Sequence, residues 1–310
     1  MKFSLFKKLN ELGYNPVIIA RSDPKLNICF INRTVNLKII KNNFTELNIT
    51  DYDYLIVNSD QTWFHYNDDF YDIAFLQFAK NWTIPKFIYA TSIGSERWNF
   101  KKQDEIIASK LLTNFTGISF REKQTVKLAE DHLNLTIKPV FVLDPTFIID
   151  KNYYLDEIKN YKRDFNFSEK YIFVYQLDKN RILEKFINES AEKLNYKIYK
   201  HDGKRDDFME NFLFGINISQ AVITDSFHGT VLSIIFNKPF VSFTNYNRGK
   251  GRFDSLKEVF NLADRILIPF YNLKPNISLL LEPLNMNQTL LDELKNFSNN
   301  YLKQNLGILK

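Results

Sequence analysis

Short apolar runs alternate with stretches of helical spacing along nearly the whole chain, and this alternation constrains the fold more than any other feature. Strands separated by helices cannot pair as tight hairpins, so they read as parallel strands joined by helical crossovers in an α/β fold. Phe3, Phe6, Leu9 and Leu12 repeat at helical spacing, with Gly13 as a stop signal. Strand-like segments follow at residues 17–20, 54–57, 87–90, 117–120 and 140–143, with helical stretches near 104–112 and 123–133. A second series opens at 171–175 and continues through 196–199, 221–224 and 240–243. The charged, aromatic stretch 150–170 lies between the two series, and 288–302 reads as a closing amphipathic helix. A chain of 310 residues is long for one small domain. Two Rossmann-like lobes are therefore expected, over residues 1–155 and 156–310, with the tail helix returning to the first. The first element is a helix, so the first lobe lacks its opening strand and the Gly-rich turn after it. That strand is central in the doubly wound order, and the sheet is expected to show an unfilled or substituted position beside 17–20 and 54–57.

Composition narrows the class of protein further. Hydrophobic residues make up 45% and charged residues 25%, which excludes an intrinsically disordered chain. No apolar run reaches the 18 residues of a membrane span, and the N-terminus has no sustained apolar segment of the secretory kind. The chain therefore reads as cytoplasmic. A single cysteine, Cys29, excludes an intrachain disulfide and a cysteine-cluster metal site. The formal charge, 41 − 36 = +5, suits a solvated surface, an anionic ligand or weak attachment to an acidic membrane at its inner face. No dense Lys/Arg stripe marks a nucleic-acid partner.

Ligands of open α/β sheets bind beyond the carboxyl ends of the strands, so the residues after each strand are the candidates. Asn58-Ser59-Asp60-Gln61-Thr62-Trp63 suits either a polar cleft with Trp63 stacked on a sugar, or an Asx-type turn leading into a core Trp. Ala90-Thr91-Ser92-Ile93-Gly94 is either an anion-holding turn or a plain one. Arg121, between a strand and a helix, suits a grip on phosphate or carboxylate, or a surface pair with Glu122.

Thr224-Asp225-Ser226-Phe227-His228-Gly229-Thr230 leads into an apolar helix and is the most informative segment. Asp225 or Ser226 suits the helix cap, and His228 is placed for acid/base chemistry. Gly229 admits close approach of a ligand to the backbone, at a helix start suited to anions. His65, His132 and His201 read as surface residues. The basic loop carrying Arg248 and Arg252 lacks the Gly-Lys-Ser/Thr ending of a P-loop and suits an anion-gripping loop or a solvated turn. No dinucleotide, zinc-protease or nucleophile-elbow motif occurs.

At these segments the chain resembles the polysaccharide pyruvyl transferase family. The resemblance rests on Asn58–Trp63, with Asn in place of the family's Gly, and on Ala90-Thr91-Ser92-Ile93-Gly94. It rests also on Ser119-Phe120-Arg121-Glu122, on Leu143-Asp144-Pro145-Thr146 and on Asp225-Ser226-Phe227-His228-Gly229-Thr230 followed by Lys238-Pro239-Phe240. The late arginine segments around Arg252 and Arg265 agree as well. The resemblance implies a GT-B-like architecture and transfer of the enolpyruvyl group of phosphoenolpyruvate onto two sugar hydroxyls, with no metal or cofactor. The acceptor would be a lipid- or nucleotide-linked precursor of a bacterial surface polysaccharide. Carried onto this chain, it implies His228 as acid/base, with Asp60 beside it among the catalytic candidates. Arg121, Arg248, Arg252, Ser226, Gly229 and Thr230 would hold phosphoenolpyruvate, and Ser59, Asp60, Trp63 and Ser92 would line the substrate site. A nucleotide-sugar glycosyltransferase and a catalytically silent relative are the alternatives, the former with a nucleotide near residues 175–178 and His228.

Overall fold

The strands are short and rich in β-branched and aromatic residues, the composition of parallel strands covered on both faces. A computed structural model describes residues 2–21, 36–40, 44–64, 69–161, 168–201, 207–244, 249–269 and 275–309. In chain order the elements are α1 (Lys2–Glu11), β1 (Val17–Arg21), β2 (Asn36–Ile40), β3 (Leu55–Val57), α2 (Phe70–Phe75) and β4 (Lys86–Ile88). Then come α3 (Lys102–Leu112), β5 (Ser119–Phe120), α4 (Lys123–His132), β6 (Val140–Phe141), α5 (Lys151–Ile158), β7 (Tyr171–Tyr175), α6 (Arg181–Leu194) and β8 (Lys197–His201). The chain continues with α7 (Phe208–Ile218), β9 (Ala221–Thr224), α8 (Phe227–Ile235), β10 (Phe240–Phe243), α9 (Lys250–Phe260), β11 (Ile266–Leu267) and α10 (Gln288–Asn305).

These elements form two compact units. One comprises Met1–Ile149, Gly249–Ser255 and Gln288–Lys310; the other comprises Asp150–Arg248 and Leu256–Asn287. Helix α9 therefore begins in the first unit and ends in the second.

In the first unit β3 pairs with β4 and β5 with β6, all parallel. Parallel bridges Phe87–Gly117 and Thr91–Phe120 join the two pairs, so the strands run in the order β3-β4-β5-β6. β1 and β2 form a separate parallel pair. Among the described residues no ladder joins β1 to β3, the place where the doubly wound order puts the opening strand. Leu5 and Leu9 of α1 and Leu302 and Leu306 around α10 cover Phe87, Tyr89 and Val142. Trp63, Phe70, Phe75, Phe100 and Phe120 form another cluster, and each such side chain contributes about 1.5–3 kcal/mol by leaving water. Hydrogen bonds from Leu143 N–H to Ser298 Oγ (2.9 Å) and from Tyr301 OH to the Ile88 carbonyl (2.8 Å) fasten α10 to the strand ends.

The second unit holds one five-stranded parallel sheet, in the order β11-β10-β9-β7-β8. Ile172, Val174, Ile223, Val241 and Phe243 pack against Leu183, Phe186 and Ile187 of α6. β2 and β11 had no sequence signal of their own. β2 mixes Asn36 and Lys38 with apolar residues, and β11 is only two residues long.

Candidate active site

The first unit gathers polar residues where β3, β4, β5 and β6 end. After β3, Asn58 Oδ1 accepts the Ser59 N–H (2.6 Å) and Asp60 Oδ1 accepts the Gln61 N–H (2.8 Å), each a side-chain bond to the next residue's backbone. The Ser92 N–H donates to the Asp60 carbonyl (2.9 Å), tying the β3 and β4 ends together. Between β4 and this tie, Ala90 sits at φ 55°, a left-handed backbone that an alanine adopts only when its surroundings impose it. Gly94 and Gly249 also have positive φ (67° and 86°), and a Cβ on either would run into the Gln61 amide.

Arg121 is almost fully buried, and its Nη1 donates to Asp144 Oδ2 at 2.7 Å. Glu122 Oε1 lies 3.8 Å from Arg121 Nε and accepts the Ser92 hydroxyl (2.5 Å), while Oε2 accepts Thr125 Oγ1 (3.1 Å). Asp144 is held in turn by Thr146 N–H (3.0 Å) and hydroxyl (2.6 Å). Burial pushes the Glu122 carboxyl up from its ordinary range against the pull of Arg121. Arg252, at the start of α9, completes the cluster. Burial and the neighbouring Arg121 lower its pKa to about 10, opposed by Glu122, Asp60 and Asp144. Arg121 is thus neither a surface residue nor mainly Glu122's partner; Asp144 is its principal counter-ion.

The second unit treats its strand ends differently. The Asp225 carboxylate accepts the N–H groups of Leu177 (2.7 Å) and Asp178 (3.1 Å), fastening the β7 end to the β9 end. Burial raises its pKa, offset by those two bonds. Ser226 caps α8 by accepting the Gly229 N–H (3.3 Å). His228 stands in the first turn, half-buried, edge-on to Phe227 at 5.3 Å between ring centroids.

Several expected roles change. Trp63 has no exposed surface and packs between Phe75, Phe100 and Phe120, so it cannot stack on a sugar. A Cβ on Gly229 would meet Thr224 Oγ1 at 2.6 Å; the glycine serves helix–strand packing, not ligand approach. Thr230 is buried and bonded to the Ser226 carbonyl (3.0 Å) and Ser242 (2.6 Å), which makes it structural. Ser59 is likewise fully buried. His201 is buried on Asn211 (2.8 Å) and is not a surface histidine, whereas His132 is exposed, as expected, with one face stacked on Trp98 at 4.9 Å. Arg265 is buried and donates to the carbonyls of Leu279 (2.6 Å), Glu282 (3.1 Å) and Pro283 (3.2 Å), a brace for the chain before α10. Arg248, Cys29 and His65 lie outside the described residues.

Asp144 is the partner the strand-end reading passed over. Asp144 directly follows the apolar run 140–143, so the same rule applied there would have found it.

A model of the polysaccharide pyruvyl transferase family matches residues 2–247. The chain belongs to that family. No curated protein matches it. Among solved structures, UDP-GlcNAc 2-epimerase from Neisseria meningitidis bound to UDP-GlcNAc is similar, with a TM-score of 0.59 and 10% identity over 97% of this chain and 95% of that one. The S. aureus MnaA–UDP co-structure is also similar, with a TM-score of 0.52 and 12% identity over 99% and 93%. At such identity these likenesses establish the fold alone, which is GT-B-like. The pyruvyl transferase match includes Asp60, Ser92, Arg121, Asp144, Asp225 and His228, and stops before Arg252. Arg252, a candidate from its basic loop, lies beyond that match, and the structure sets it beside Arg121. Among the described residues, no three His, Cys, Asp or Glu side chains are grouped to hold a metal ion. No described helix is long and apolar enough to cross a membrane.

Proposed function

We propose that this pyruvyl transferase family member moves the enolpyruvyl group of phosphoenolpyruvate onto two hydroxyls of a sugar. The acceptor is a lipid- or nucleotide-linked precursor of a bacterial surface polysaccharide, met in the cytoplasm or at the inner face of the membrane. The observation that carries this reading is the pair of buried guanidiniums, Arg121 and Arg252, at the strand ends of the first unit. Arg121 is balanced by Asp144, and Glu122 is pushed toward its neutral form. Arg252 is held charged against burial and against Arg121, so an incoming phosphate or carboxylate relieves an unfavourable state.

The chemistry requires a proton on the methylene carbon, which develops oxocarbenium character at C2. One sugar hydroxyl then adds to C2 and loses its proton, inorganic phosphate departs, and the second hydroxyl closes the ketal as its proton leaves. His228 is the proposed proton donor.

Calorimetric titration and phosphate release test both assignments. Arg252→Gln should weaken phosphoenolpyruvate binding by about 1.5–3 kcal/mol, the weight of one charge-assisted contact. His228→Gln should keep that binding and lose about 10²–10⁴ in kcat. Full turnover in His228→Gln would remove the histidine from the mechanism. A wild type that binds a nucleotide but no phosphoenolpyruvate would instead mark a nucleotide-sugar glycosyltransferase, and one that binds neither would mark a silent relative.

A further inference from the structure

The segment from Lys101 through α3 contains three lysines and two carboxylates, a balanced stretch by sequence. The tertiary structure sorts these charges by sign. Asp104 turns inward to the Tyr71 hydroxyl and the Lys101 N–H (3.0 Å). Glu105 turns inward too, accepting Trp98 Nε1 (2.8 Å) and Lys102 Nζ (2.8 Å) and lying 3.1 Å from His132 Nδ1. Both carboxylates are buried. The face left to solvent carries Lys101, Lys102, Gln103, Ile106, Lys110 and Asn114, with no acidic group among them. Asn114 Nδ2 donates to the carbonyl of Lys80 (3.4 Å), which brings a fourth exposed lysine to the C-terminal end of this face.

Lys102 leans on Glu105 yet its side chain is 83% exposed; Lys80, Lys101 and Lys110 form no ion pair among the described residues. In the middle of the stripe, one turn from both Lys102 and Lys110, Ile106 is 57% exposed, the most exposed large apolar side chain among the described residues.

We propose that this face of α3 docks on an anionic phospholipid surface. The lysine stems lie along apolar surface while their amines reach headgroup phosphates, and Ile106 enters the boundary between headgroups and chains. The inference deepens the proposed function, resting on its reading that the acceptor precursor is lipid-linked, and it supplies the surface that would bring the enzyme to that precursor. Each lysine near an acidic leaflet contributes roughly fivefold in affinity.

The test is co-sedimentation of the full chain with mixed phosphatidylglycerol–phosphatidylcholine vesicles, with pure phosphatidylcholine as the neutral arm. Binding is expected to the mixed vesicles only, and to weaken as salt is raised. Lys101→Glu combined with Lys110→Glu should lower it by more than about tenfold. Ile106→Asn should lower it by a smaller factor. The same charge change on α6, Lys185→Glu with Lys193→Glu, should lower it far less. Absent binding to the anionic vesicles, equal binding to both kinds, or an equal loss from the α6 pair would overturn the proposal. Phosphate release with a soluble acceptor is read in parallel on the wild type. Vesicle binding without turnover would sink the transferase reading and leave the docking face standing; turnover without vesicle binding would do the reverse.

Discussion

The two units end their parallel strands in polar loops, yet they neutralise buried charge by opposite means. In the first unit charge answers charge: Arg121 meets Asp144 at 2.7 Å, with Glu122 and Arg252 beside them. In the second unit the backbone answers charge, because Asp225 takes the N–H groups of Leu177 and Asp178. A carboxylate held by backbone amides fixes a loop and leaves little room to respond to a ligand. A cluster of side-chain charges has alternative partners available, so an added anion redistributes contacts and need not break a turn. Under the proposed function, anion recognition would fall to the first unit, and the second would supply a loop-fixed frame around one half-buried imidazole, His228.

The sharpest way to break this contrast is to remove one member of the first unit's buried pair. Asp144→Ala leaves Arg121 buried without its main counter-ion and should destabilise the protein by about 3–5 kcal/mol in urea unfolding. A cost near zero would mean that the charges of the first unit do not depend on one another.

Next in size is Gly229→Ala in the second unit. Alanine is the better helix former by about 1 kcal/mol, yet the new Cβ would meet Thr224 at 2.6 Å. The variant should lose about 1–3 kcal/mol, the usual range for overpacking. A gain in stability would return Gly229 to the list of residues spared for a ligand.

The smallest effect concerns pH. Burial lifts Glu122 above its ordinary range, so the folded state holds that proton more tightly than the unfolded chain does. Its contribution is fully present below the ordinary glutamate value and is lost as pH rises through the folded value. Asp225 is raised in the same direction but is stabilised by two amide bonds. Glu122→Gln should therefore flatten the decline of stability with rising pH while keeping an acceptor for Ser92. Urea midpoints across a pH series decide it, and a variant profile parallel to the wild type would exclude Glu122 as the source.

The fold was legible where strands were uniformly apolar. β7, β9 and β10 occupy the residues that the apolar runs marked, because a strand covered on both faces has no polar positions to blur its ends. β4 and β6 stop before their apolar runs do, since the residues beyond them already turn toward the strand-end loops, whereas β3 and β5 begin one and two residues later than theirs. At the site, Arg121, Asp60 and His228 were marked by position after a strand. The counter-ion of Arg121 was not, because Asp144 reaches it from 23 residues away; Asp225 was marked only as a cap, because its amide partner Leu177 lies 48 residues away.

What the sequence determines by itself is what depends on neighbours along the chain. Hydrophobic periodicity sets which segments become strands and helices, and Asp225-Ser226 before an apolar helix marks where a cap falls, which the structure puts on Ser226. Motif order carries the family. Tertiary structure decides what depends on distance through space. It places Trp63 among aromatic rings, turns Asp104 and Glu105 inward so that α3 shows lysines, and sets Arg252 beside Arg121 from 131 positions along the chain. The physical reason is that desolvation and Coulomb energy depend on the atoms that surround a group, and those are known only once the chain has closed on itself.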